Sequence, residues 1–524
     1  MFNILTEPLI RIATASSVYK ASLSEVYAAL MADEVEAFPA LRSHQRQAWH
    51  AFLSQLAAMM MHRAGIIAPP TEAAEWAALI RGLTSEFPDD APWHLVVDDI
   101  TKPAFMQPPA SSPDLEKDYK GVAATPDELD IISTSKNHDI KTGAFDDGST
   151  DGWLFALINL QTMGGQIGQG HYPVSRMQSG WNSRTSFTLT SSLRWGGHIS
   201  RDIDALLEVD VSDWPMRWDG IGLLWIEIWD GQKLEALPLN RLHPYYLEVC
   251  RRRRLLVGPG GIYAKQATSA GRRLATQESL GAVHDPWQLI DKRDKKGAKA
   301  LALQKDGFAY DRIVGYLFDG GDWDLPVLFQ GGSSDRFLVA RGVKGDRGGQ
   351  TEGYYERIIP LRPRTVQVFG RTRLRNELAD VARERVAQVG KVKDALRHSI
   401  ATFVADGDST GIRSDQWTRA SALSSKLDEI VDRDFFDDVQ NEFDVDDNDA
   451  RVLIRRRWLR NGKDGVIDHA QDILKDATDS LPCLSIHRYK AQVRAGSVFW
   501  GRLQGPNGLP ELFDRENADQ ENNA

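Results

Sequence analysis

Four glycines fall within the seven residues Gly164-Gly165-Gln166-Ile167-Gly168-Gln169-Gly170, after an apolar run from Trp153 to Leu160 that ends in Gln161-Thr162. Glycine tolerates positive φ and lets another backbone come close. A glycine-rich loop leaving a buried helix can turn bare N–H groups toward an anion or a polynucleotide backbone. The same composition also serves a plain, tight helix-to-strand connection, and glycine content alone does not separate the two readings. The spacing fits neither the G-x-G-x-x-G dinucleotide fingerprint nor a P-loop, because no Gly-Lys-Ser/Thr follows.

Metal chemistry has no recognisable pattern. There is no C-x-x-C, H-E-x-x-H or H-x-E, and the twelve histidines are scattered. Asp444 to Asp449 resembles the start of a calcium loop, but Asp449 stands where glycine is required and Arg455 where the closing glutamate should be. No metal and no cofactor are therefore expected. Positive charge clusters at Arg251–Arg254, at Lys292–Lys299 and at Arg455–Arg457 with Arg460, while the chain as a whole carries −10. Such runs usually form solvated faces. Three of them in an acidic protein point modestly toward a polyanionic partner.

The elements that must hold these groups follow from periodicity. Asn3 to Ile12 reads as an opening strand, and Ser22-Leu23-Ser24-Glu25 as a capping box that starts a helix. Trp49, Phe52, Leu53, Leu56 and Met60 form one helical stripe from about Ser43, with the methionines 59–61 as core filler. A third helix is expected over Thr71–Leu83. The long stretch 111–152 lacks apolar periodicity and reads as a functional or disordered loop. Trp214, Trp218, Trp225 and Trp229 read as core, with a sugar or base platform as the alternative. The segments 247–250, 254–257, 299–305, 312–318 and 337–343 read as strands, and a helix is expected near 201–207. After about Thr372 long amphipathic periodicity takes over. The expected class is α+β: a mixed α/β domain over 1–370, a C-terminal four-helix-type bundle over 371–510 and a flexible acidic tail over 511–524.

With 524 residues, 42% of them hydrophobic, the chain can build more than one core. No stretch approaches 18 uninterrupted apolar residues, so no membrane span is expected. The start carries Glu7 and lacks a basic region ahead of its apolar residues, unlike a secretory signal. Cys250 and Cys483 lie far apart, which suits a reducing cytoplasm.

Several segments, taken in order, resemble the CasA (Cse1) family, the large subunit of the type I-E CRISPR surveillance complex Cascade. They are the opening Phe2-Asn3-Ile4-Leu5-Thr6-Glu7-Pro8, then Phe105-x-Gln107-Pro108, then the apolar helix running into the glycine loop. Gly348-Gly349-Gln350-Thr351-Glu352, followed by Glu356-Arg357, and the helical C-terminal region complete the set. The resemblance implies a non-catalytic, cytoplasmic antiviral-defence subunit. Such a subunit recognises a short protospacer-adjacent motif (PAM) in double-stranded DNA, promotes R-loop formation and recruits a helicase-nuclease. Its implied partners are crRNA, the other Cascade subunits, target DNA and that nuclease.

Carried over by position, Gln350, beside Gly349, matches a wedge that enters the duplex, and Gly164, Gly165, Gln166 and Gly168 match a minor-groove loop. Lys136, Asn137 and His138 fall in the loop implied to meet the guide RNA and adjacent subunits. Lys265 is the choice for a minor-groove lysine, with Arg252–Arg254 as rivals. The chain departs from the family in having Leu9 where tryptophan is preferred, glycines rather than asparagines before the wedge, and no cysteine-rich knuckle. The alternative from another class is an independent metal-dependent nuclease with dispersed carboxylates.

Overall fold

The computed structural model describes residues 2–131, 148–166, 168–178, 182, 184–318, 321–329, 334–346, 350–370 and 372–513. The chain divides into two compact units. One comprises Met1–Phe308 and Asp319–Leu361, the other Ala309–Phe318 and Arg362–Ala524.

The first unit opens with β1 (Ile10–Ala13) and β2 (Val18–Ala21), paired antiparallel, then α1 (Leu23–Met31). The expected capping box is present: the Ser22 hydroxyl accepts from the Glu25 N–H, and the Glu25 carboxylate accepts from the Ser22 N–H at 2.7 Å. The expected strand from Asn3 starts only at Ile10, because the N–H groups of Thr6 and Glu7 fold back onto the Asn3 carbonyl. α2 (Arg46–Ala64) and α3 (Ala73–Leu83) follow. Every α2 residue from Gln47 to Met61 is buried, so the three methionines are core as expected. Gly65, at φ 66°, ends the helix in the left-handed conformation that glycine adopts without strain.

The stretch 111–152 is less bare than its composition suggests. It holds β3 (Gly121–Ala123) and the short α4 (Pro126–Leu129). α5 (Thr150–Met163) is the apolar run, with Ser149 as N-cap, and it is buried throughout from Trp153. It packs on α2, where Trp49 and Phe155 meet edge to face at 5.2 Å. Each such fully buried side chain stabilises by about 1.5–3 kcal/mol. Two polar side chains of α5 are tied into the core: Asn159 donates to Asp130, and Gln161 bonds four backbone groups.

Next come β4 (Ser186–Thr190), α6 (Trp195–Glu208), β5 (Ile221–Leu223), β6 (Leu242–Leu247), β7 (Arg252–Gly258) and β8 (Gly261–Ala267). β9 (Ile290–Asp291) and β10 (Lys299–Ala300) are two residues each. The expected strand over 299–305 therefore shrinks to its first two residues, and that over 247–250 ends at Leu247. The segment 312–318 is not a strand but part of α7 (Tyr310–Phe318). Tyr310, Ile313, Val314 and Leu317 are its buried face, and Asp432 accepts the Tyr310 N–H at the first turn. The spacing i, i+3, i+4, i+7 is helical. β11 (Trp323–Asp324), β12 (Phe337–Asp346) and β13 (Gln350–Pro360) complete the strands.

The sheets are small. β3-β8-β7 and β13-β12-β4 are antiparallel three-stranded sheets, β9 joins β10 and β11, and β5 runs parallel to β6. Gln107 ties the first of these to the N-terminal core. Its amide donates to the Leu95 and Phe105 carbonyls and its oxygen accepts the Leu255 N–H. Trp225 and Trp229 are core, whereas Trp214 and Trp218 are half-buried.

In the second unit the short α8 (Pro363–Val366) leads to α9 (Thr372–Val404), α10 (Ser414–Ser424), α11 (Lys426–Phe443), α12 (Asn448–Leu459), α13 (Val466–Ser480) and α14 (Ser485–Gln504). α9 is the axis, packing on α10, α11, α13 and α14. Its Val389, Val392, Leu396, Ile400 and Phe403 are fully buried. The class is α+β with a C-terminal helical bundle, as expected from the sequence. Among the described residues no helix is long and apolar enough to cross a membrane.

Candidate nucleic-acid interface

The glycine loop is held at both ends. At its root the Gly164 carbonyl accepts the Val174 N–H at 3.0 Å, and the Gly165 carbonyl accepts from the Arg251 guanidinium at 2.6 Å. A Cβ on Gly164 would lie 2.6 Å from the Leu160 carbonyl, so the chain leaves α5 where no side chain fits. At the far end Gly170, at φ 78°, packs against Thr268, and its carbonyl accepts the Ser269 N–H at 3.1 Å. Gly164, Gly165 and Gly170 are buried, while Gln166, Gly168 and Gln169 face outward in part or in full. Between them Gly168 pairs with His171. Burial and the nearby Arg253 and Arg251 hold His171 well below an ordinary histidine, at about 4, so the imidazole is neutral at pH 7.

Thr268 and Ser269 follow β8, and three residues before Thr268 stands Lys265. Its side chain is 30% exposed and its ammonium lies 3.0 Å from the Glu116 carboxylate, itself 63% exposed. A surface pair of this kind is worth about 0–1 kcal/mol and gives way readily to a stronger anion. The loop and the lysine strand are thus joined through Gly170, Thr268 and Ser269, which no sequence pattern singled out.

The rivals to Lys265 are placed differently. Arg251, Arg252, Arg253 and Arg254 are each 2–3% exposed, so this basic run is no solvated face. Arg254 donates to the carbonyls of Val97, Asp99 and Lys102, Arg253 to those of Arg252 and Ala267, and Arg252 to that of Thr268. Burial brings Arg253 down to about 9 and Arg254 to about 10. In the other clusters many cations are paired. Arg293 pairs with Asp291, Lys299 with Asp294, Lys292 with Asp324, and Arg455 with Glu384 and Glu442.

Gln350 opens β13 opposite Asp346, in the sheet that also contains β4. A register irregularity at Lys344/Gly345 sits below it, where the Gly345 N–H donates to Asn182 at 3.0 Å. No described contact joins Gln350 to the glycine loop; Asn182 belongs to the segment linking that loop to β4. Gly349 and the residues Lys136, Asn137 and His138 lie outside the described residues.

Among the described residues one group has metal-ligand spacing, His50, His198 and Asp202, all buried. Asp202 already accepts from His50, Thr188, Trp287 and Arg201. These bonds make it a polar knot joining α2, α6 and β4. The pentapeptide Gly407-Asp408-Ser409-Thr410-Gly411 has the spacing of a G-x-S-x-G nucleophile elbow. It lies between helices α9 and α10 rather than on a strand-to-helix turn, and Asp408 caps the N–H groups of Thr410 and Gly411.

No family model and no curated protein matches the sequence. Solved structures do. Thermus thermophilus CasA (Cse1) is 14% identical, with 96% of this chain and 99% of that one covered, at TM-score 0.61. Cse1 from Acidimicrobium ferrooxidans is 12% identical over 96% and 97% at TM-score 0.64, and Thermobifida fusca Cse1 13% identical over 97% and 98% at TM-score 0.62. Over nearly its whole length, at little sequence identity, the chain has the fold of the CasA (Cse1) proteins.

Proposed function

We propose that this chain is the large, non-catalytic subunit of a crRNA-guided surveillance complex, reading the PAM in double-stranded DNA, promoting R-loop formation and recruiting a helicase-nuclease. The observation that carries this reading is the clamp between the glycine loop and the end of β8. It holds the half-exposed Gln166 and Gly168 in a loop tied to the strand that bears Lys265, in a chain of CasA (Cse1) fold. Gly164 and Gly165 shape the root of the loop. The minor groove shows a nearly degenerate set of acceptors, and backbone N–H groups with one lysine read it permissively. Gln350, with Gly349, acts as the wedge at the tip of the β12–β13 hairpin. Unstacking a base step costs a few kcal/mol, which pairing with the guide offsets. Lys136, Asn137 and His138 contact the guide RNA or an adjacent subunit, and the helical unit meets the small subunits.

The test is binding of the guide complex, with and without this protein, to targets carrying a randomised PAM at one fixed salt concentration. PAM-dependent binding should appear only with the protein, and Gln350→Ala should weaken R-loop formation. Equal binding without the protein defeats the reading.

A further inference from the structure

A cavity of about 700 Å³ in the first unit lies between the C-terminal end of α2, the end of α3 and the segment around β5. Trp218 and His62 stack in its wall at 3.7 Å and 12°, and Met59, Leu83 and Ile226 supply apolar surface. His243, 6% exposed, lies edge-on to Trp218 at 5.3 Å. Its Nδ1 accepts the Tyr245 N–H at 3.0 Å, so the ring proton sits on Nε2. Burial holds His243 far below an ordinary histidine, at about 3, and keeps it neutral. Among the described residues no hydrogen bond from this Nε2–H is seen, which leaves a free donor on a residue of the cavity wall. The carboxylates of Glu86 and Glu227 also line the cavity and meet no cation within ion-pair distance among the described residues.

We propose that this cavity binds an amino-bearing nucleobase. The ring would lie against the wall that the stacked His62 and Trp218 form, an acceptor on its edge would take the His243 proton, and its exocyclic amine would donate to Glu86 or Glu227. A flat ring carrying an acceptor beside an amine is the hydrogen-bonding edge of adenine or cytosine, and flipped bases are read by such edge bonds together with aromatic packing. Uracil sets a carbonyl against the carboxylates and is rejected. A simple organic cation satisfies the carboxylates but sets positive charge against the His243 N–H. Three carboxylates, Glu86, Asp219 and Glu227, against the single guanidinium of Arg63 disfavour a polyphosphate tail. The ligand is therefore a nucleoside or one extruded base of a strand, and its binding does not depend on the assembly role proposed above.

The test is calorimetric titration of the full chain with adenosine, cytidine, uridine and a hexadeoxyadenylate strand. It would be run on the wild type, on Glu86→Gln/Glu227→Gln, and on Ile226→Trp, which narrows the cavity. The expected result is adenosine or cytidine binding at least about tenfold tighter than uridine, with at least about a tenfold loss in both variants. Tight binding of the strand but not the nucleosides, lost in both variants, identifies an extruded base as the source. Equal affinity for uridine, affinity unchanged in correctly folded variants, or no binding by any probe overturns the proposal.

Discussion

Replacing Gln161 by leucine should cost the first unit more stability than removing any exposed ion pair. The side chain is fully buried at the end of α5. Its oxygen accepts the Cys250 and Arg251 N–H groups at 3.0 and 2.8 Å, and its amide donates to the Met106 and Arg251 carbonyls at 2.9 Å each. Leucine is of similar size and fills the space, so the loss is polar. Four backbone groups of buried residues lose their partners. At about 1–3 kcal/mol per orphaned buried group, partial relaxation still leaves about 4 kcal/mol. That is a large share of the roughly 5–15 kcal/mol that holds a domain folded. The assay is urea unfolding followed by circular dichroism, with the transitions of the two units fitted separately. The first unit's midpoint should fall sharply and the second's should stay in place. A loss below about 1 kcal/mol would refute the argument, since it would mean that those four groups do not rely on Gln161.

Three further outcomes follow from the same structure. Lys265→Ala should weaken duplex binding by the assembled complex about equally across sequences and lower the salt slope by about one, read from affinities at several salt concentrations; an unchanged slope removes Lys265 from the interface. Glu442→Ala should destabilise the helical unit by about 3–5 kcal/mol in urea unfolding, because Arg385, fully buried, bonds it at 2.9 Å and would be left uncompensated. The first unit should lose stability as pH falls from about 6.5 toward 4. Burial lowers His50, His198 and His243, so the unfolded chain takes up protons that the folded one refuses, and stability rises with pH across that window. Glu248 and Asp204, both raised by burial, work the other way against these histidines, so equal urea midpoints at pH 5 and pH 7 would contradict the balance.

Helix positions were legible where a stripe is long. α2 and α9 bury the residues their periodicity marks, since 3.6-residue spacing persists over many turns, and α5 buries its apolar run on every side. Short segments misled: 312–318 is apolar enough for a strand, and its helical identity shows only when Tyr310 joins the stripe. The glycine loop was legible as a loop because few other residues combine a Cβ-free exit at Gly164 with φ 78° at Gly170. Its clamp was not, because Thr268 and Ser269 act through one backbone bond and one packing contact, neither of which leaves a spacing pattern.

The arginine run shows why charge in a sequence is a poor guide to a polyanion site. Four consecutive guanidiniums read as a basic surface because each charge is costly to bury. Arginine, however, carries five donors on a planar fork, and a cluster of backbone carbonyls can satisfy several at once. Here the carbonyls of Val97, Asp99, Lys102, Gly165, Ala267 and Thr268 do so. Apart from Ala267, which ends β8, these carbonyls lie outside the strands, and there the arginines take the place of a sheet in fixing them. Beside this run, the groups left for a phosphate backbone are the outward part of the glycine loop, and Lys265 once it leaves Glu116. A protein of net charge −10 with so narrow a cationic contact should bind free duplex weakly and gain its affinity only where guide pairing adds to it. Tight, sequence-independent binding of bare duplex by the isolated chain at physiological salt would show that another basic face exists and that this accounting is wrong.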